Sequence, residues 1–312
     1  MTPARKKAYL LLLVNAVIWG AALPLVKPSL NFVSPFQFLY LRYLIASILI
    51  FPFLIILLVK HRPSLKTILY SVALELLATP ISLGLLYSGL KQTSAIEASL
   101  IAATYPLLIT VGGIYFLKEK QERREWLGLA LALIGTGLLV VEPLLTNRIG
   151  KINFSFLGNL LVLAHNLLIA VYYLVAKKFY QGKPKFMVTG LGYLASAIVL
   201  FFMLNQAGLS TSVTLLKAPS VALASGYMAL FGSIIALTFY IKGQDLIEAS
   251  EASLFIYLTG VFAIPVSFLL LKESVTWPQI LAMVIIFLGV FLGESRPRRL
   301  AKPKACRYNH SS

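Results

Sequence analysis

Charge is what this sequence has least of. Asp, Glu, Lys and Arg together make up 12% of its 312 residues, about half the roughly 25% of a soluble domain. So few charges cannot coat the surface of a soluble enzyme of this length. Aspartate occurs once, at Asp245, in a connection between apolar runs, which excludes aspartyl intramembrane proteases and Asp-rich metal sites. Of the three histidines, His61, His165 and His310, only His165 lies within an apolar run, so a His-built metal centre is not available. The single cysteine, Cys306, rules out an internal disulfide and a Cys-based metal site. No phosphate-binding Gly-x-x-x-x-Gly-Lys-Ser/Thr run occurs, so ATP hydrolysis by this chain has no support. No cofactor is expected.

What is present is apolar: 59% of residues are hydrophobic and the mean hydropathy is +0.84. Disorder is excluded, because disordered chains are polar and poor in aromatics. A helix needs about 20 apolar residues to cross a bilayer. Seven uncharged runs reach that scale, at 8–26, 98–117, 152–176, 186–216, 218–241, 252–271 and 274–293. Three more spans carry blemishes: 36–59 holds Arg42, 67–90 holds Glu75, and 126–141 is short. The runs lack the two-residue alternation of barrel strands. The first is too long for a signal-peptide core. Ten spans place 21 Lys and Arg in one set of alternate connections and termini and 6 in the other. That bias predicts a cell-membrane protein with both termini cytoplasmic. It also accounts for most of the net charge of +17, which in a soluble chain would suggest nucleic acid; no nucleic-acid partner is expected.

The sequence repeats itself. At an offset of 154 residues, Glu97-Ala98-Ser99-Leu100 falls on Glu251-Ala252-Ser253-Leu254, and Leu117-Lys118-Glu119 falls on Leu271-Lys272-Glu273. Near an offset of 150, Asn15 meets His165 and Lys27 meets Lys177. Five spans per half is an odd number, so the halves must lie upside down to one another. The reading is an all-α integral membrane fold of ten transmembrane helices in two inverted five-helix repeats. The first covers 1–146 and the second 147–295, followed by a basic cytoplasmic tail, 296–312, suited to anionic membrane lipid. Inverted repeats are a hallmark of secondary transporters.

Several residues carry a resemblance to a family: Asn15-Ala16-Val17-Ile18-Trp19-Gly20 in span 1, Leu41-Arg42-Tyr43 and Ala46 in span 2, Ala98-Ser99, Pro106 and Lys118-Glu119 around span 4, Gly135 in span 5, and Ala252-Ser253, Glu273 and Gly289 in the second half. The pattern resembles the EamA-type members of the drug/metabolite transporter superfamily. The resemblance implies a central cavity lined by spans 1–4 and 6–9, with spans 5 and 10 peripheral. It also implies transport of amino acids, metabolites or toxic compounds, often outward. Span 9 departs from it, with Gly260 where the repeat has Pro106.

The candidate site follows from polarity inside spans. Arg42 lies roughly 10 Å into span 2. It is a cavity cation for an anionic substrate group, or a structural Arg reaching helix-end carbonyls. Glu75 is the one acid far from any span end. It is a proton carrier, or a neutral Glu bonded to a neighbouring helix or paired with Arg42. Asn15 and Trp19 share a face of span 1. His165 and Asn166 are neighbours on span 6, so one of them is expected to face the cavity. Tyr105, Tyr172 and Tyr240 are candidate cavity walls. Pro80, Pro106 and Pro265 interrupt spans and are candidate hinges. Glu97 and Glu251 occupy opposite mouths, as gates or as first-turn acids favoured by the helix dipole. An intramembrane enzyme or a channel or receptor-like scaffold is the alternative, and no nucleophile motif supports the enzyme. The expected partners are a small-molecule substrate and membrane lipid; monomer and homodimer both remain open.

Overall fold

The structure, a computed structural model, describes residues 3–92, 105–119, 122–145, 156–271 and 277–294. Glu97, Glu273 and the basic tail lie outside them. Among the described residues every regular element is helical. Helix α1 (Pro3–Asn31) breaks at Ala21 and ends in a tight 3-10 turn over Lys27–Asn31. It is followed by α2 (Pro35–His61) and by α3, which runs through Leu65–Leu76, a π segment Leu77–Leu83, and Gly84–Gln92. Next come α4 (Tyr105–Leu117), α5 (Arg123–Leu145), α6 (Phe156–Phe179) and α7 (Lys185–Gln206). Helix α8 (Pro219–Leu246) contains a second π segment, Met228–Leu237. Helices α9 (Ala249–Leu271) and α10 (Trp277–Glu294) complete the described chain.

Local chemistry explains the boundaries. Ser34 caps α2 reciprocally with Gln37, and Pro35 takes the first helical position, where a missing N–H costs nothing. Ser64 caps α3 through the Thr67 amide. Pro80 lies inside the first π segment, where its missing donor breaks the regular hydrogen-bond ladder and favours the wider turn.

Seven of these helices, α1, α2, α3, α6, α7, α8 and α9, are long and apolar enough to cross a membrane; α4 and Ile280–Gly293 are shorter apolar helices. Burial is inverted relative to a soluble fold. Ile48, Phe53, Ile56, Leu69, Phe202, Leu223 and Phe287 are exposed, whereas Asn15, Arg42, Glu75, Thr189, Ser196 and Gln244 are buried. Apolar exteriors suit lipid, and polar groups inside a bilayer face protein or water. The chain is a multi-pass membrane protein.

The packing has a pattern. Helix α1 packs on α9 and on the last part of α8, Thr238–Leu246. Helix α6 packs on α4 and on the last part of α3, Gly84–Gln92. Helix α2 packs on α7, and α5 on α10. Exchanging α1–α5 with α6–α10 carries the α1 contacts onto the α6 contacts and the α2–α7 and α5–α10 contacts each onto itself. The α5–α10 contact is close enough that a Cβ on Gly128 would lie 2.5 Å from the Gly289 carbonyl oxygen, the small-residue contact that membrane helices use to approach.

Candidate functional site

The two π segments shape the centre. A π turn shifts the hydrogen-bond register and leaves carbonyls to be satisfied by side chains, which matters where no water competes. In α8 the Asn15 amide donates to Ala236 O (3.0 Å), the Trp19 indole N–H to Gly232 O (3.1 Å), the Tyr193 hydroxyl to Ser233 O, and the Ser233 hydroxyl to Met228 O (2.9 Å). In α3, His165 Nδ1 lies 3.0 Å from Ser82 O and 2.8 Å from Ser82 Oγ. Asn15 and His165, which the repeat aligns, thus do the same work on α8 and α3 respectively. We predict that Asn15→Ala, which strips Ala236 O of that donor, costs about 1–3 kcal/mol, read as a lower unfolding temperature in detergent. An unchanged melting curve contradicts this assignment.

Most of the aromatic residues singled out from sequence meet in one connected set. Trp19 stacks on Tyr240 with ring centroids 5.8 Å apart; Tyr240 lies 4.5 Å from Tyr173, and Tyr173 lies 5.7 Å from Tyr105 and 5.1 Å from Tyr172. Rings from α1, α8, α6 and α4 therefore form a continuous wall. Tyr173 is its hub and was not anticipated. The Tyr172-Tyr173 doublet is visible in sequence, but the repeat supplies no marker for which of the two faces inward.

Both intramembrane charges are buried, Arg42 at 6% exposure and Glu75 at 1%, and they do not form an ion pair. Arg42 Nε donates to Ser233 Oγ (2.8 Å), and its guanidinium lies 5.0 Å from the Tyr43 ring centroid. Glu75 accepts from the Tyr172 hydroxyl (2.7 Å) and more distantly from Tyr180 (3.4 Å). Tyr173 and Tyr193 lie within electrostatic reach of both charges. Glu75 rests on α7 at Gly192, where an added Cβ would sit 2.0 Å from the Glu75 Cβ. Gly192→Ala is therefore expected to destabilise the protein by about 1–3 kcal/mol, visible as a fall in unfolding temperature. A stability equal to that of the parent would refute this contact.

Sequence neighbours His165 and Asn166 are both buried, at 8% and 1%, rather than one facing in and one out. Helix α6 is covered on several sides, by α3, α4 and α8, so two adjacent faces are enclosed. Pro80 lies in the α3 π segment. Pro106 is buried, and its carbonyl accepts from Thr110 (3.0 Å) and, across the α4–α9 contact, from Ser253 (3.5 Å). Pro265 is on the exposed face of α9. A separate apolar groove between α2 and α7, lined by Tyr40, Leu44, Phe51, Leu194 and Phe201 among others, includes none of the candidate cavity residues.

One end of the molecule is tied together around residues 245–251. Arg5 pairs with Glu251 (2.6 Å), and Tyr9 donates to the same carboxylate. Lys185 pairs with Asp245. Lys177 donates to Glu119 (2.9 Å) and to Ile247 O (2.5 Å). Glu119 also accepts from the Ala249 amide (2.7 Å), the Ser250 amide (3.2 Å) and the Ser250 hydroxyl (3.0 Å). Helix α4 ends with Lys118 in the left-handed region (φ 55), and the Glu119 amide bonds back to Gly113 O (3.1 Å). This helix-ending turn aims the carboxylate at the α8–α9 connection. Burial alone would push Glu119 up; the Lys177 ammonium and the Ala249 and Ser250 amides outweigh it and hold the carboxyl below its usual value. Of these groups only Glu251 is a candidate gate from sequence, while Glu119 enters there through the repeated Leu117-Lys118-Glu119 string. Neither Lys177 nor Asp245 carries a local signal of pairing.

Comparison with known proteins agrees with this architecture. The model of the EamA-like transporter family matches twice, over residues 6–141 and 156–293. The chain is similar to an uncharacterized transporter of Archaeoglobus fulgidus, 23% identical over 92% of this chain and 96% of that one. It is also similar to the uncharacterized transporter YyaM of Bacillus subtilis, 26% identical over 90% of this chain and 92% of the relative. The uncharacterized inner membrane transporter YedA of Escherichia coli K12 is 28% identical over 90% of both chains. A solved crystal structure superposes with a TM-score of 0.75 at 19% identity, covering 92% of this chain and 96% of the other, which shows a shared fold. With the same family model matching both halves of its length, the chain belongs to the EamA-like transporter family.

Proposed function

We propose that the protein is a secondary transporter of small organic solutes (amino acids, metabolites or drugs) working outward by alternating access. Its halves, 1–146 and 147–295, are inverted five-helix units, and both termini face the cytoplasm. The observation that carries this reading is the packing pattern, in which exchanging the halves maps the principal helix contacts onto one another. Two related halves supply two arrangements of similar energy, one open to each side. The double match to one family model supports the same duplication.

In this reading the tied end is the cytoplasmic one, because it carries Arg5, Lys177 and Lys185 from the basic set of connections. The ion pairs to residues 245–251 hold the cytoplasmic mouth closed and break when it opens, and Glu97 is the counterpart gate at the other mouth. The aromatic wall with Asn15, Arg42, His165 and Asn166 surrounds the substrate path. Glu75 carries the coupling proton, and Pro80, Pro106 and Pro265 permit bending. The partners are the small-molecule substrate and membrane lipid.

The test is counterflow in sealed proteoliposomes with a panel of labelled amino acids and small organic acids. The expected result is exchange of at least one labelled solute that is lost when the vesicles are permeabilised. Chemical conversion of a panel member by detergent-solubilised protein, with no vesicle uptake of any, would instead identify an enzyme.

A further inference from the structure

The strongest unexplained feature of the centre is a buried cation without a counterion. Among the described residues no carboxylate lies within ion-pair distance of Arg42, whose contacts are the Ser233 hydroxyl, the Tyr43 ring and the Tyr87 hydroxyl. Burying an Arg inside an apolar helix is costly, and no ionised partner among the described residues offsets that cost.

The packing does not demand this Arg. At an offset of 150, Leu41-Arg42-Tyr43-Leu44 in α2 falls on Leu191-Gly192-Tyr193-Leu194 in α7. These two helices pack on each other, and the aligned Tyr43 and Tyr193 have ring centroids 5.6 Å apart. The fold thus accepts a glycine with no side chain at the equivalent place in α7. The guanidinium is present in one half only, which separates it from the requirements of the helix pair.

Its surroundings describe what it would meet. Arg42 and Trp19 engage consecutive residues of the α8 π segment, Ser233 and Gly232, so the cation and the Trp19–Tyr240 stack are anchored at adjacent positions of one helix. On that wall the Tyr240 hydroxyl, in a fully buried side chain, and Asn15 Oδ1, in a side chain 1% exposed, have no hydrogen-bond partner among the described residues. Buried polar atoms without partners are rare and call for an explanation, a bound group being one. We infer that Arg42 is the carboxylate-reading residue of the substrate site. The substrate class is an organic acid anion with a flat, apolar body to lie on Trp19 and Tyr240 and a second polar group to meet Tyr240 or Asn15. This rests on the transporter reading above and narrows its substrate.

The experiment measures binding, not transport, so that its failure and that of the transporter reading are separable. The purified full chain in lipid nanodiscs is titrated with 4-hydroxybenzoate and with its neutral amide, 4-hydroxybenzamide. The acid is expected to bind measurably more tightly than the amide. Arg42→Gln should weaken acid binding by about thirtyfold or more and leave the amide unchanged, while Arg42→Lys, which retains the charge, should recover part of the loss. Acid and amide binding alike, no binding of the acid, or an Arg42→Gln protein that binds the acid as the parent does would each overturn the inference. Should Arg42→Gln fail to fold, the acid-against-amide comparison on the parent decides alone. Counterflow of another solute in the same preparation would leave the transporter reading standing.

Discussion

Replacing Glu75 with Gln is expected to abolish transport driven by a pH gradient while leaving counterflow exchange intact. Glu75 is 1% exposed, accepts from two tyrosine hydroxyls, and has no ion-paired cation among the described residues. A carboxylate held in hydrocarbon by neutral donors is costly as an anion, so a proton can settle it. Gln keeps the shape and one acceptor oxygen for Tyr172, and the fold should survive. It neither takes up nor releases a proton, so the driving force is lost and the path remains. In vesicles with an imposed pH gradient, accumulation should fall to the level seen without one, while exchange of labelled for unlabelled solute keeps its rate. Gradient dependence equal to that of the parent would exclude Glu75 as the proton carrier. Loss of both activities would point to a structural role.

Glu119→Gln should release the tied end. One carboxylate there collects Lys177, two backbone amides and a serine hydroxyl. The side chains of Glu119 and Lys177 are 5% and 18% exposed, so solvent screens the pair little. Removing the anion leaves a mostly buried ammonium without its counterion, at a cost of about 3–5 kcal/mol to the closed arrangement. A loss of that size is enough to change which of two near-equal states predominates. The expected result is a lower unfolding temperature together with faster labelling of a cysteine placed at Ser253, beneath the tie. Unchanged labelling and stability would show that the tie holds nothing shut. The pH dependence has a definite sign. The folded-state value of Glu119 lies below the ordinary 4.5, so its stabilisation is fully present above that ordinary value and is lost as pH falls through the lower folded one. Glu119 therefore stays ionised near neutrality, and a pH response of transport there belongs to another group.

The sequence reveals the fold through scarcity and repetition. Few charges, long apolar runs and the matching Leu117-Lys118-Glu119 and Leu271-Lys272-Glu273 strings led to a duplicated helical membrane protein. The burial of Arg42 and Glu75 was legible for the same reason, since each interrupts an apolar run away from its ends. Their relation was not. Depth along a span left pairing open, and only three-dimensional packing turns Glu75 onto Gly192 of α7 and Arg42 onto Ser233 of α8. The π segments were hidden too. Pro80 hints at one, but the Met228–Leu237 segment contains no proline, and its carbonyls are met by side chains from α1 and α7. Glu119 illustrates a third limit. An acid at a helix exit is commonplace, and its role here depends on a left-handed Lys118 and on Lys177, far along the chain.

The central claim, that two halves alternate about a centre sealed at one end, is tested most directly by a distance. Lys7 on α1 and Lys178 on α6 are exposed residues at the tied end, one in each half. With Cys306 replaced by Ser, spin labels at these two positions report the separation of the halves in nanodiscs. The account predicts two distance populations whose ratio shifts towards the longer in Glu119→Gln and changes on adding a transported solute. A single distance, the same in every condition while the vesicles transport, would contradict it.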